Sequence, residues 1–217
     1  MFKDTFREVI KRFRNMQADH DINTNIEYCD YRELDEMKHA QSNSNNSILY
    51  SLLHINIVSL NTNLDKLKTL LYGLSSYPNF IGVSETRIND TNIHDNMLSG
   101  YDFVYDNAPS NGRAGGAGMF IKQGIEFKLR DDLKIRSNDC ENVWIETTDF
   151  GRKKIFAVIY RHPRHNFSDF QEKLMLRLKN LEDENYTYYI CGDTNINLIK
   201  TASINAIKLY FDQLCRR

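Results

Sequence analysis

Beyond residue 47 the chain alternates between apolar runs of strand length and stretches with helical periodicity. Four apolar runs each end in a polar residue: Ile48–Ile55 at Asn56, Phe80–Ser84 at Glu85, Ile155–Ile159 at Tyr160, and Tyr186–Cys191 running into Gly192, Asp193, Thr194 and Asn195. A strand covered on both faces reads as such a near-continuous run. Shorter runs at Asp102–Tyr105, Gly116–Ile121 and Val143–Glu146 predict further strands separated by turns. Leucines at 64, 67, 70, 71 and 74 share one helical face and predict a helix near Leu64–Leu74. Phe170, Leu174, Leu178 and Leu181 predict a second helix near Asp169–Asp183, with Ser168 and Gln171 as a capping box at its start. A third is expected at Ile204–Leu214. The order implies an α/β fold with mixed β-sheets.

Before this lies a different texture. Residues 1–39 are charged and helix-prone, and Met1–Met16 is amphipathic, with Phe2, Phe6, Val9, Ile10 and Phe13 on one face. A docking or solvated helix accounts for that pattern, since Asp4 and Glu8 argue against a transit peptide. Ala40–Ser47 reads AQSNSNNS, a linker rich in breakers. The division is therefore an extension and linker at 1–44 and one domain at 45–217.

Composition narrows the classes. With 41% hydrophobic and 26% charged residues among 217, the chain suits a globular domain with a real core. A formal net charge of −1 supplies no global positive field, so contact with nucleic acid must be local. The four cysteines show no CxxC spacing and no zinc-like cluster with histidine, and reduced thiols in an intracellular protein are expected. No apolar run approaches the roughly 20 residues of a membrane helix.

Ligands of open α/β sheets gather beyond the carboxyl ends of the strands. The four endings would bring two carboxylates, two amides and a phenol to one place, equipment for Mg²⁺ and a phosphate ester. In YICGDTN, Asp193 and Asn195 are two apart and in extended backbone face one side. Alone, each candidate has a plainer reading: Asp193 caps a turn, Glu85 is a strand-end acid, Asn56 a bonded loop amide, Tyr160 a strand-end aromatic beside a solvent arginine, Arg161. His54 reads as a satisfied core histidine, and His162 and His165 as surface residues. The GRAGGAG stretch at 112–118 lacks the ending of a P-loop and reads as a hairpin connection with close backbone packing. No GxSxG elbow or Ser/His/Asp order supports serine chemistry.

HINIVSLN, IGVSETRI, GYDFVYD followed by GRAGGAGMFIK, VIYRHP and GDTNINL, in that order, resemble the endonuclease/exonuclease/phosphatase superfamily. Within it they are most similar to the apurinic-type endonuclease domain of non-LTR, LINE-like retrotransposons. The similarity runs from about Ile48 onward, and Tyr28–Met37 looks like a lead-in of such elements. The resemblance implies two β-sheets face to face with helices outside, an incomplete four-layer α/β/β/α sandwich. It implies Glu85 and Asn56 at the metal, Mg²⁺ or Mn²⁺. It implies Asn56, Tyr160, Arg161 and Asn195 at the substrate phosphate, and Asp193, Asn195 and Tyr160 in catalysis. DNA is the implied substrate, the nucleus the implied location, and a reverse transcriptase in cis the implied partner in a full-length element.

Two departures change the expectation. Thr194 stands where the family often has an aromatic or apolar residue. The family also continues with strands that carry a further aspartate and a histidine. This chain ends at Arg217, and none of its six histidines holds the matching place. The expected function is thus Mg-dependent phosphodiester hydrolysis impaired by truncation, set against a catalytically inactive retroelement remnant and, less so, a phosphatase of the same superfamily.

Overall fold

A computed structural model describes residues 50–196, apart from 75, 94–96, 110–113, 139, 150 and 164–165. The helices expected at Met1–Met16 and Ile204–Leu214, the lead-in at Tyr28–Met37, the linker at Ala40–Ser47 and His165 lie outside these residues.

The described strands form two four-stranded sheets. The first contains β1 (Leu52–Asn56), β2 (Phe80–Ser84), β3 (Tyr101–Asp106) and β4 (Ala117–Lys122), in the order β1-β2-β4-β3. The second contains β5 (Lys128–Leu129), β6 (Cys140–Asp149), β7 (Arg152–Arg161) and β8 (Thr187–Asp193), in chain order. Each sheet holds one parallel pair, β1 with β2 and β7 with β8, and its other pairs are antiparallel. A parallel pair needs a crossover. Helix α1 (Leu60–Tyr72) makes the first and α2 (Phe167–Asp183) the second.

The sheets pack through alternate side chains. Phe80, Ala117, Met119 and Ile121 of the first meet Val143, Ile145, Phe156, Val158 and Tyr160 of the second in one buried cluster. The Phe80 and Phe156 rings stack at 4.1 Å. Ile155, Ala157 and Ile159 alternate with these on β7 and are equally buried, so β7 is covered on both faces. Gly82 lets the layers close: a Cβ there would lie 2.7 Å from Val158 Cγ2 and 2.8 Å from Cys191 Sγ.

Three expectations change in detail. Strand β6 extends well beyond Val143–Glu146, because buried Glu141, Asn142 and Thr147 interrupt the apolar pattern without interrupting the ladder. Helix α1 starts at Leu60, a turn early, because its first amides are taken by another segment: Ser59 N–H donates to the Glu85 carbonyl at 2.7 Å and Leu60 N–H to that of Thr86 at 2.8 Å. Helix α2 is capped by Asn166, whose side chain accepts the Ser168 N–H at 2.9 Å, and not by a Ser168 capping box.

Candidate active site

The polar strand ends meet at the carboxyl ends of the two parallel pairs. Asn56 closes β1 and pairs with Ser84, which precedes Glu85, while Tyr160 on β7 pairs with Asp193 at the end of β8. One side chain bridges the sheets: Asn56 Nδ2 donates to Glu85 Oε1 at 3.0 Å and to Asp193 Oδ2 at 2.9 Å. The two carboxylate oxygens therefore lie within about 6 Å of each other. Among the described residues, no lysine or arginine forms an ion pair with either acid.

The local backbone is bent to make this meeting. Glu85 and Asn195 have φ of 54° and 51°, the left-handed region that non-glycine residues seldom enter. Gly192 has φ of 145°, and a Cβ there would run into the Ile159 carbonyl on β7. The glycine of YICGDTN thus permits strand contact and the turn that aims Asp193. The Asp193 carboxylate is held from its other side, where Oδ1 accepts the Asn195 N–H at 2.9 Å.

Tyr160 is buried beside both acids. Burial, then the negative fields of Glu85 and Asp193, push its phenol up to about 12, while a hydrogen bond with the Asn195 side chain pulls the other way. Asn195 Nδ2 also donates to the Arg161 carbonyl at 2.8 Å, which joins the ends of β7 and β8. His54, two residues before Asn56, faces Ser84 Oγ at 3.2 Å. Burial lowers its pKa, and the Asp193 field opposes that shift. It is a satisfied interior histidine.

Two residues have partners that the sequence did not show. Arg161, expected at the substrate phosphate, is engaged by backbone carbonyls. It is buried, and its guanidinium donates to the backbone carbonyls of Thr194 at 2.7 Å, His162 at 3.1 Å and Asn195 at 3.1 Å. Its role is to hold the Asp193–Asn195 turn. His162 is not a surface residue: its Nε2 lies 2.9 Å from Glu141 Oε1, with the side chain 14% exposed. Glu141 carried no signal of its own in the sequence, since an acid just ahead of the apolar run at Val143–Glu146 reads as a solvent-facing position.

The glycine-rich stretch leads into β4, the antiparallel partner of β3, and its described residues Gly115, Gly116 and Gly118 pack tightly. The carbonyls of Gly116 and Gly115 accept the N–H groups of Thr86 at 3.2 Å and Arg87 at 3.0 Å. These bonds anchor the turn that carries Glu85.

The donors fit a hard divalent cation. The two carboxylates offer oxygen ligands, the Asn56 amide can add its Oδ1 once its NH₂ gives way to the ion, and the negative charge of the acid pair favours a positive ion between them. Among the described residues no group of three or more His, Cys, Asp or Glu forms a metal site.

No family model and no curated protein matches the chain. Solved structures match it in fold. The endonuclease domain of TRAS1, a telomere-specific non-LTR retrotransposon, is 13% identical, covers 76% of this chain and 72% of its own, and has a TM-score of 0.52. The Xenopus laevis APE2 catalytic domain is 13% identical over 76% of this chain and 67% of its own, with a TM-score of 0.53. An AP endonuclease from Archaeoglobus fulgidus is 14% identical over 77% and 70%, with a TM-score of 0.52.

Proposed function

On the endonuclease/exonuclease/phosphatase fold that this chain has, we propose that the meeting of Asn56, Glu85, Asp193 and Tyr160 is a metal-dependent phosphodiester hydrolase site acting on DNA. The observation that carries this reading is the single amide of Asn56 drawing two carboxylates from different sheets within about 6 Å, with no basic partner among the described residues. Such a pair repels until a cation joins it.

Glu85 and Asn56 would hold the cation, Mg²⁺ or Mn²⁺, which when bound would neutralise charge on the substrate phosphate. Asp193 is the acid best placed to act on water. Bonds from Asn56 Nδ2 and Asn195 N–H fix its carboxylate on both oxygens. It would orient a water toward phosphorus and accept its proton at a carboxylate oxygen as the new P–O bond forms. The leaving alkoxide takes up a proton from solvent, and Asp193 releases its own to solvent, which yields a phosphate monoester and a free hydroxyl. The Tyr160 phenol, held protonated by its neighbours, would donate to a phosphate oxygen, and Asn195 would support the same oxygens.

On DNA the product is a nick with a 3′-hydroxyl. Following the resemblance of its motifs, we infer a retrotransposon nuclease, working in the nucleus with a reverse transcriptase in the same polypeptide of a full-length element. The test is nicking of supercoiled plasmid by purified protein with Mg²⁺. Nicking that Asp193→Ala abolishes supports the reading, and equal activity in both proteins would sink it.

A further inference from the structure

Glu141 on β6 and His162, just past β7, form a buried polar pair that the proposed chemistry does not use. Glu141 engages both its oxygens. Oε1 lies 2.9 Å from His162 Nε2, and Oε2 accepts the Gly116 N–H at 3.0 Å. The first contact stays on the side of the second sheet, and the second crosses to the residue just before β4 of the first. The His162 ring in turn meets the Tyr160 ring edge-on, centroids 5.1 Å apart and planes at 82°.

These contacts connect to the acid side of the site. Gly116 and Gly115 hold the amides of Thr86 and Arg87, the residues that follow Glu85. From the phenol, the path runs through His162, Glu141 and Gly116 to Thr86. It is tightly packed. A Cβ on Gly115 would lie 2.9 Å from Glu141 Oε2 and 3.0 Å from His162 Cε1, and one on Gly116 would run into Thr86 Oγ1. A buried carboxylate is tolerated where its oxygens are bonded, and here the two bonds go to the two sides of the site.

We propose that Glu141 and His162 are positioning residues that set the Tyr160 phenol against the Glu85 turn. The inference rests on the phosphodiesterase reading above and adds to it two residues that touch no substrate. Outer partners that orient a reactive group commonly change activity by about 10–100-fold when removed.

The experiment is a double-mutant cycle on plasmid nicking, with kcat and KM resolved. His162→Phe keeps a ring beside Tyr160 and loses the bond to Glu141. We expect it to lower kcat by about 10–100-fold, but by less than about 3-fold in a Tyr160→Phe background, because pairs acting through one group are not additive. Glu141→Ala should behave as His162→Phe does, and Glu141→Gln, which keeps an acceptor for Gly116, should recover most of the loss. The same factor for His162→Phe in both backgrounds would overturn the inference, as would losses that follow the unfolded fraction in circular dichroism. Failure of the underlying reading looks different: wild-type protein would not nick at all. The pair is then judged by amide exchange. Glu141→Ala should speed exchange at Thr86 and Arg87 by about tenfold or more and leave the centre of β2 unchanged. Unchanged exchange at Thr86 and Arg87 would end the proposal, and His162→Phe provides the same readout if Glu141→Ala does not fold.

Discussion

Glu85 and Asp193 sit in different sheets, and both accept hydrogen bonds from one nitrogen, Asn56 Nδ2, at 3.0 and 2.9 Å. The two acids use this donor differently. Among the described residues, Glu85 shows no hydrogen bond at Oε2, whereas Asp193 is bonded on both oxygens.

That asymmetry separates two conservative substitutions. Glu85→Gln can keep its Oε1 bond while removing one of two like charges, whose repulsion within about 6 Å is roughly 0.7 kcal/mol or more in water. Asp193→Asn must turn an NH₂ toward a donor, either Asn56 Nδ2 or Asn195 N–H. In EDTA, Glu85→Gln should raise the thermal midpoint and Asp193→Asn should lower it, each reflecting a stability change of about 1 kcal/mol. Both should lose activity by about 10²-fold or more. Added Mg²⁺ should raise the midpoint of wild type and fail to do so for Glu85→Gln.

Asn56→Asp replaces the bridging donor with a third acid. In EDTA the variant should be destabilised by about 1–3 kcal/mol, since a donor becomes a like charge. Mg²⁺ should restore more stability to it than it adds to wild type. Denaturant melts with and without the ion measure the difference.

Gly192→Ala tests the close approach of β7 and β8. The φ of 145° and the collision of a Cβ with the Ile159 carbonyl leave no room for a side chain. A loss of about 3 kcal/mol or more is expected, against under about 1 kcal/mol for Gly151→Ala. At Gly151 a positive φ adds strain but nothing lies within 4 Å of a Cβ. Urea unfolding of the two variants decides it.

The Tyr101 hydroxyl donates to the Pro78 carbonyl at 2.6 Å, and burial, then neighbouring Tyr77, push its pKa up to about 12. An acid whose folded pKa is raised contributes stability that is complete below its unfolded pKa of about 10 and is lost as pH climbs from there toward 12. Tyr101→Phe should therefore be less stable than wild type at pH 8 by about 1 kcal/mol. The gap should shrink between pH 9.5 and 11. Urea midpoints across that range would show a constant gap if the phenol were not raised.

Asn166→Ala should cost about 1 kcal/mol through loss of the α2 cap, while Ser168→Ala should change stability by less than about 0.5 kcal/mol. Equal effects would contradict the cap seen here.

Much of this arrangement can be read from the chain. The run FIGVS forms β2 at its expected bounds, and all five residues are buried, because a strand covered on both faces cannot alternate. The polar residues that follow apolar runs (Asn56, Glu85, Asp193) do converge, because two parallel pairs put those carboxyl ends side by side. The helix starts were harder to read. Leu60 begins α1 because carbonyls of Glu85 and Thr86 receive its first amides, partners remote in sequence.

Sequence alone determined the element types, the apolar faces and which strand ends carry acids, since these depend on local periodicity and residue chemistry. The tertiary structure decided which polar groups are available. Arg161 follows Tyr160 in the chain and is nevertheless consumed by three carbonyls, while Glu141 and His162, unremarkable in sequence, are joined inside the fold. The reason is physical: a hydrogen bond depends on distances of about 3 Å between atoms, and the sheet register, not the spacing of residues along the chain, sets those distances.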